Sequence, residues 1–228
     1  MGEAVTPSRS RILLAEAVGT AFLLAGVVGS GIMAARLSPN DVGLQLLQNA
    51  VATAGVLVAI ISIFGTISAD FNPAVTLGAW VLGHRAGRDV VPIIAVQVVG
   101  AVVGTVVANL MFDLDAVSWS TTERSGSHLW LAEALATVGL LLVVFALVRT
   151  ARMAHIPYVV ASYIGAAYYF TSSTSFANPA VTVGRAFSDT FAGIDPSCAP
   201  MFIVMQLVGV GVASALLSAL FPVNAPTD

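Results

Sequence analysis

The chain has 228 residues, of which 57% are hydrophobic and only 9% charged, and its mean hydropathy is +0.93. Charge on about a quarter of residues is usual for soluble domains, so an ordinary soluble enzyme or binding module is excluded. A net charge of −3, nine scattered Arg and no Lys leave no basic stripe for nucleic acid.

Six long apolar segments follow one another: Ile12–Ala35, Val42–Phe64, Val90–Phe112, Leu129–Val148, Ile156–Phe170 and Ala199–Phe221. Four exceed the ~20 residues that cross a bilayer core, the fourth just meets that length, and the fifth is short unless it continues into Thr171–Ser175. The run near the N-terminus is too long for a signal peptide and reads as the first span. Polar turns separate the segments. Six of the nine Arg (Arg9, Arg11, Arg85, Arg88, Arg149 and Arg152) fall on one side, so the positive-inside rule places both termini in the cytoplasm of a plasma (inner) membrane protein.

Two further stretches are apolar but too short to cross. Asn72-Pro73-Ala74-Val75-Thr76 recurs as Asn178-Pro179-Ala180-Val181-Thr182, each with a Gly two residues on. One Asn-Pro is only a turn signal. Two five-residue copies in corresponding places each read as a helix start, with Asn as N-cap and Pro in the first turn. Other landmarks recur in the same order: Ala15-Glu16-Ala17 with Ala132-Glu133-Ala134, and Gln97-x-x-Gly100 with Gln206-x-x-Gly209. The chain thus reads as one channel-sized domain over residues 1–228, with repeats at about 10–115 and 127–222. Each repeat holds three spans, an odd number, so the second is inverted in the bilayer. Inverted repeats place a transit site near the midplane, where broken helices meet.

Non-helical backbone at membrane depth must line a watery cavity or be buried in protein. The two short helices enter from opposite sides, so their positive ends, about half a charge each, converge and repel cations. The amides of Asn72 and Asn178 add hydrogen-bond donors there. A pore for small uncharged solutes follows.

These residues resemble the aquaporin and glycerol-channel family, the major intrinsic proteins, over essentially the whole chain. The resemblance implies an all-α membrane protein: a right-handed bundle of six transmembrane helices plus two re-entrant half-helices, one pore per subunit and four subunits in a homotetramer. It implies that Asn72 and Asn178 hydrogen-bond the passing molecule. Glu16 and Glu133 would brace the half-helix loops as acceptors for backbone N–H groups.

The departures from the family pattern concern the narrowest point. The family places Arg directly after the second Asn-Pro-Ala; here it is Val181. Counting from the boxes gives Ser175, Ala166 (or its neighbour Gly165) and Ala52 (with Thr53 beside it) as the other constriction residues. All are small, so the arginine and both aromatic walls are expected to be missing. A water-only pore needs a tight constriction and a fixed donor, so solutes bulkier than water are expected: polyols, urea and undissociated metalloid acids such as arsenous acid, together with water. The arginine-lacking filter is similar to that of a microbial aquaglyceroporin subgroup linked to arsenic resistance.

Two charged residues beside the boxes have two readings each. Arg185, one turn beyond Val181, either restores a positive charge at the outer pore mouth or is satisfied by Asp189 or loop carbonyls. Asp70 either caps the first half-helix loop or pairs with Arg85 or Arg88, or else lines the cytoplasmic mouth and attracts cations. His84, His128 and His155 form no metal-ligand pattern, and neither a cofactor nor catalytic chemistry is expected. Tyr168 and Tyr169 fit an interfacial belt. A water-selective channel, or a non-conducting membrane scaffold or adhesion protein of the same fold, remains the alternative. The partners are small neutral solutes and the lipid bilayer.

Overall fold

The computed structural model describes residues 7–222. Residues 1–6 and 223–228, the two termini expected in the cytoplasm, lie outside the described residues. Eight α-helices follow in order: α1 (Arg9–Leu37), α2 (Val42–Phe64), α3 (Pro73–Val81), α4 (Gly87–Met111), α5 (Ser127–Arg149), α6 (Ile156–Phe170), α7 (Pro179–Arg185) and α8 (Ala199–Leu220). Five of them, α1, α2, α4, α5 and α8, are long and apolar enough to span a membrane. α6 has 15 residues, about 22 Å at 1.5 Å per residue. A 3₁₀ turn at Met153–His155 extends it on the side where the chain begins, and it stops at Phe170, so Thr171–Ser175 do not prolong the span as helix.

Local chemistry sets these boundaries. The Asp41 carboxylate accepts from the Leu44 N–H at 2.9 Å and starts α2. α3 and α7 begin at proline, whose missing N–H costs nothing in a first turn. α3 ends where Gly83 takes φ +80° and the His84 and Arg85 N–H groups both turn back onto the Ala79 carbonyl. Glycine is the residue that adopts this conformation without strain.

Long helices pack in the same pairs in both halves, α1 on α4 and α5 on α8. The first crossing is closest at Gly100 and Gly104, where a Cβ would collide with the backbone carbonyls of Ala17 and Ala21. Small residues let two backbones approach in a bilayer, where packing rather than water exclusion drives helix association. Large apolar side chains such as Leu14, Phe22, Val91 and Leu131 stay exposed on the outer surface, as lipid-facing positions require. α3 and α7 lie inside the bundle and touch each other. Laid end to end their 9 and 7 residues make about 24 Å of helix, close to one membrane span interrupted in the middle.

Candidate functional site: a cavity through the meeting half-helices

The loops preceding α3 and α7 are each held by one buried glutamate. Glu16 and Glu133 are both 0% exposed, and a carboxylate in that position is tolerable only with its acceptor sites filled. Glu16 accepts from Ser68 Oγ (2.5 Å), the Asp70 N–H (2.9 Å), the Phe71 N–H (2.7 Å) and Gln97 Nε2 (2.8 Å). Glu133 accepts from Ser173 Oγ (2.6 Å), the Phe176 N–H (2.9 Å), the Ala177 N–H (2.9 Å) and Gln206 Nε2 (2.6 Å). Gln97 and Gln206 also reach Thr76 and Thr182 on the half-helices. The two sets match donor type for donor type, a serine hydroxyl, two loop N–H groups and a glutamine amide in each.

Loop tension then sets the asparagines. Phe71 and Ala177, one residue before each Asn, both have φ +47°, and Thr174 and Ser175 are also left-handed. Such backbone costs on the order of 1–2 kcal/mol per non-glycine residue and persists only where its surroundings enforce it. The carboxylate clamps supply that enforcement. Asn72 Oδ1 accepts from the Ala74 N–H (2.8 Å), and Asn178 Oδ1 accepts from the N–H groups of Ala180 (3.0 Å) and Val181 (3.2 Å). Each Asn Nδ2 donates across to the other loop: Asn72 to the Ala177 carbonyl and Asn178 to the Phe71 carbonyl, both at 2.8 Å. One amide hydrogen of each pair is therefore used in locking the two tips together, and one remains.

A cavity of about 680 Å³ runs past this junction. Asn72 and Asn178 both line it. From the face where α1 begins and α8 ends it passes Met153, Tyr158 and His84, continues along Leu57, Ile61, Leu140 and Val160, and reaches Val181, Ser175, Phe176 and Arg185. Leu57, Ile61, Leu140 and Val160 make the first stretch apolar, and beyond the asparagines Ser175 and Arg185 add polar groups to Val181, Tyr168 and Phe176. The Ser175 hydroxyl there is buried with no hydrogen-bond partner among the described residues.

Val181 and Ser175 line the cavity where the sequence count puts them, and Thr53 lines it in place of Ala52. Two counted positions are corrected. Ala52 is half-buried on the flank of α2, while Thr53, Leu57 and Ile61, spaced by four, form the lining stripe. Ala166 is exposed and Gly165 packs toward Ala54, whereas Val160, Ile164 and Tyr168 face inward. A two-residue error rotates a position by about 200° on a helix, enough to turn lumen into lipid. Tyr168 is consequently no interfacial anchor. It is buried, lines the cavity, and shares a 3.1 Å hydrogen bond with Thr53. Together with Phe176 it gives the cavity aromatic walls, which the positions counted from the boxes do not include. Tyr169 remains exposed.

The charged residues resolve as well. Asp70 pairs with Arg85 at 2.8 Å, accepts from Thr76 Oγ1 at 2.9 Å, and is among the residues lining the cavity. Arg185 does not reach Asp189, whose carboxylate accepts from Thr121. Its Nε donates to the Ala192 carbonyl, and its guanidinium lies 3.5 Å from the Phe176 ring centroid at the cavity wall. Sequence reasoning missed Arg124, which approaches the same ring from the 113–126 loop at 5.2 Å.

Fold and site together define a multi-pass membrane channel for small solutes, built from two inverted halves. A family model described as "Major intrinsic protein" matches residues 3–175. The chain is 46% identical over 209 residues to aquaglyceroporin AqpS of Rhizobium meliloti, covering 91% of this chain and 89% of that protein. It is 34% identical over 150 residues to aquaporin NIP2-1 of Arabidopsis thaliana, covering 61% of this chain and 51% of that one. In fold it is similar to the X-ray structure of the Plasmodium falciparum aquaglyceroporin, with a TM-score of 0.70 at 17% identity over 94% of this chain and 98% of that one. The chain belongs to the major intrinsic protein family, whose members are channels and not enzymes.

Proposed function

We propose that the cavity conducts small neutral solutes bulkier than water, namely polyols, urea and undissociated metalloid acids such as arsenous acid, along with water itself. The observation that carries this reading is the chemistry of the stretch beyond the asparagines. Among its lining residues the Asn72 and Asn178 amides and the unpartnered Ser175 hydroxyl offer hydrogen bonds, and the Tyr168 and Phe176 rings offer apolar contact. A polyol presents the same division, hydroxyls along one edge and C–H groups along the other. Val181 projects no long side chain across the passage. Thr53, Tyr168, Ser175 and Val181 are the selectivity residues in this reading. Each half-helix N-terminus carries roughly half a positive charge, which disfavours cations at the junction.

Glu16 and Glu133 act as braces that hold the asparagines in place. The Arg-rich face, with Arg9, Arg11, Arg85, Arg88, Arg149 and Arg152, is the cytoplasmic one, the membrane is the plasma membrane, and four copies assemble with one pore each. Stopped-flow light scattering on liposomes containing the protein tests the reading. Glycerol, urea and arsenous acid gradients should relax faster than in empty vesicles. Acceleration of water alone would leave a water-selective channel, and no acceleration would leave the non-conducting scaffold.

A further inference from the structure

Two guanidiniums meet one aromatic ring, that of Phe176, at the end of the cavity beyond the asparagines. Arg185 is 3% exposed, and Arg124 comes from a loop more than sixty residues upstream. Consecutive carbonyls of the 186–198 segment hold them: Ala192 accepts from Arg185 Nε, and Gly193 accepts from Arg124 Nε at 2.8 Å. The loop bearing Arg124 is pinned to the same segment. Ser118 and Ser120 N–H groups donate to the Phe187 and Ala186 carbonyls, the Asp195 N–H donates to the Thr122 carbonyl, and Asp189 accepts from Thr121.

What these arginines lack is as informative as what they touch. Among the described residues neither has a carboxylate within salt-bridge distance, and the terminal amino groups of Arg185 have no hydrogen-bond acceptor. A buried guanidinium normally finds a carboxylate, because desolvating an unpaired charge is costly. Here the Phe176 ring offsets part of that cost through a cation–π contact. It also fixes the plane of the guanidinium. With Nε turned to Ala192, the remaining donors are left over at the cavity wall, one helical turn beyond the short Val181 side chain.

We propose that Arg185, shelved on Phe176 and backed by Arg124, is the specificity-determining cation of this mouth. It donates hydrogen bonds to the hydroxyl or carbonyl oxygens of neutral solutes and turns away metal cations and hydronium. The proposal rests on the channel reading of the same cavity. It places the positive charge on a residue outside the Asn-Pro-Ala box, held by a loop that no local motif announces.

The test uses the full chain in liposomes, reading glycerol entry by light scattering and proton entry with a trapped pH dye under a potassium–valinomycin potential. Arg185→Gln should raise proton leak about tenfold and slow glycerol, and Arg124→Gln should raise the leak about threefold, since a second charge near a low-dielectric wall adds to the barrier but lies farther off. Val181→Arg in the Arg185→Gln background should restore exclusion, a rescue that a merely structural pin would not allow. A wild-type level of proton leak in both single variants overturns the proposal. Should Arg185→Gln fail to reconstitute as folded protein, Arg124→Gln decides alone: raised leak supports the proposal and unchanged leak refutes it. Wild-type protein that passes no glycerol above empty vesicles would instead refute the underlying channel reading.

Discussion

The two halves of the molecule share a frame and differ in charge. In each, a buried glutamate with four donors fixes a left-handed residue and an asparagine cap at the tip of a half-helix. Two residues before each asparagine the halves part: Asp70 stands in the first and Phe176 in the second. Asp70 brings an ion pair with Arg85, so the arginine beside the first box is matched by a carboxylate. Phe176 brings a ring on which Arg185 rests without a carboxylate. The repeated part of the sequence builds the scaffold, and the unrepeated part gives the lumen a direction.

The scaffold half of this comparison predicts the largest effect. Glu16→Ala and Glu133→Ala each strand two loop N–H groups and two side-chain donors, a loss of several kcal/mol at about 1–3 kcal/mol for each buried donor left unsatisfied. Thermal unfolding in detergent should show both variants destabilised to a similar degree. Tolerance of one but not the other would break the equivalence.

Asn72→Ala and Asn178→Ala come next. Each removes a helix cap, about 1 kcal/mol, and a cross-loop hydrogen bond, about another 1 kcal/mol. Glycerol flux in reconstituted vesicles should drop in both, because each amide also faces the lumen. A drop in only one would show that the solute is handled by a single half.

Tyr168 probes the far section alone. Tyr168→Ala should widen the passage and raise the flux of five-carbon polyols relative to glycerol, while Tyr168→Phe, which loses only the hydrogen bond to Thr53, should shift that ratio less. Equal ratios in wild type and Tyr168→Ala would remove Tyr168 from the filter.

The terminal-face mouth gives the smallest effect. His84 stacks on Phe145 with ring centroids 5.8 Å apart, and its imidazole is held below the ordinary value of 6.5, first by partial burial and then by the charge of Arg149. The folded protein thus disfavours the protonated ring. Stability from this source is steady above that ordinary value and falls as pH drops below it, because the unfolded chain takes up the proton first. His84→Gln should flatten that acid-side slope of the melting temperature. An unchanged slope would assign it to other groups.

Repetition decided what was readable in the sequence. The Asn-Pro-Ala boxes, Glu16 with Glu133, and Gln97 with Gln206 occur twice, and all of them meet in the matched networks of the two loops. Filter positions were harder, since they depend on the rotation of each helix about its own axis. α2 and α6 are apolar on the lipid side and largely apolar on the lumen side, so no polar stripe marks the inward face. Counting residues across the non-helical 171–178 stretch therefore landed on exposed Ala166 instead of Tyr168. The four-residue spacing of Val160, Ile164 and Tyr168 was the available signal. Arg124 carried none, because its position comes from hydrogen bonds between two loops about seventy residues apart in sequence.

Paired recording of glycerol and ion movement in the same vesicles tests most directly whether the two half-helix tips meet around a lumen for uncharged molecules. The structure predicts rapid glycerol entry with potassium flux at the level of protein-free vesicles. Potassium passing alongside glycerol, or glycerol held at the protein-free rate, would contradict it.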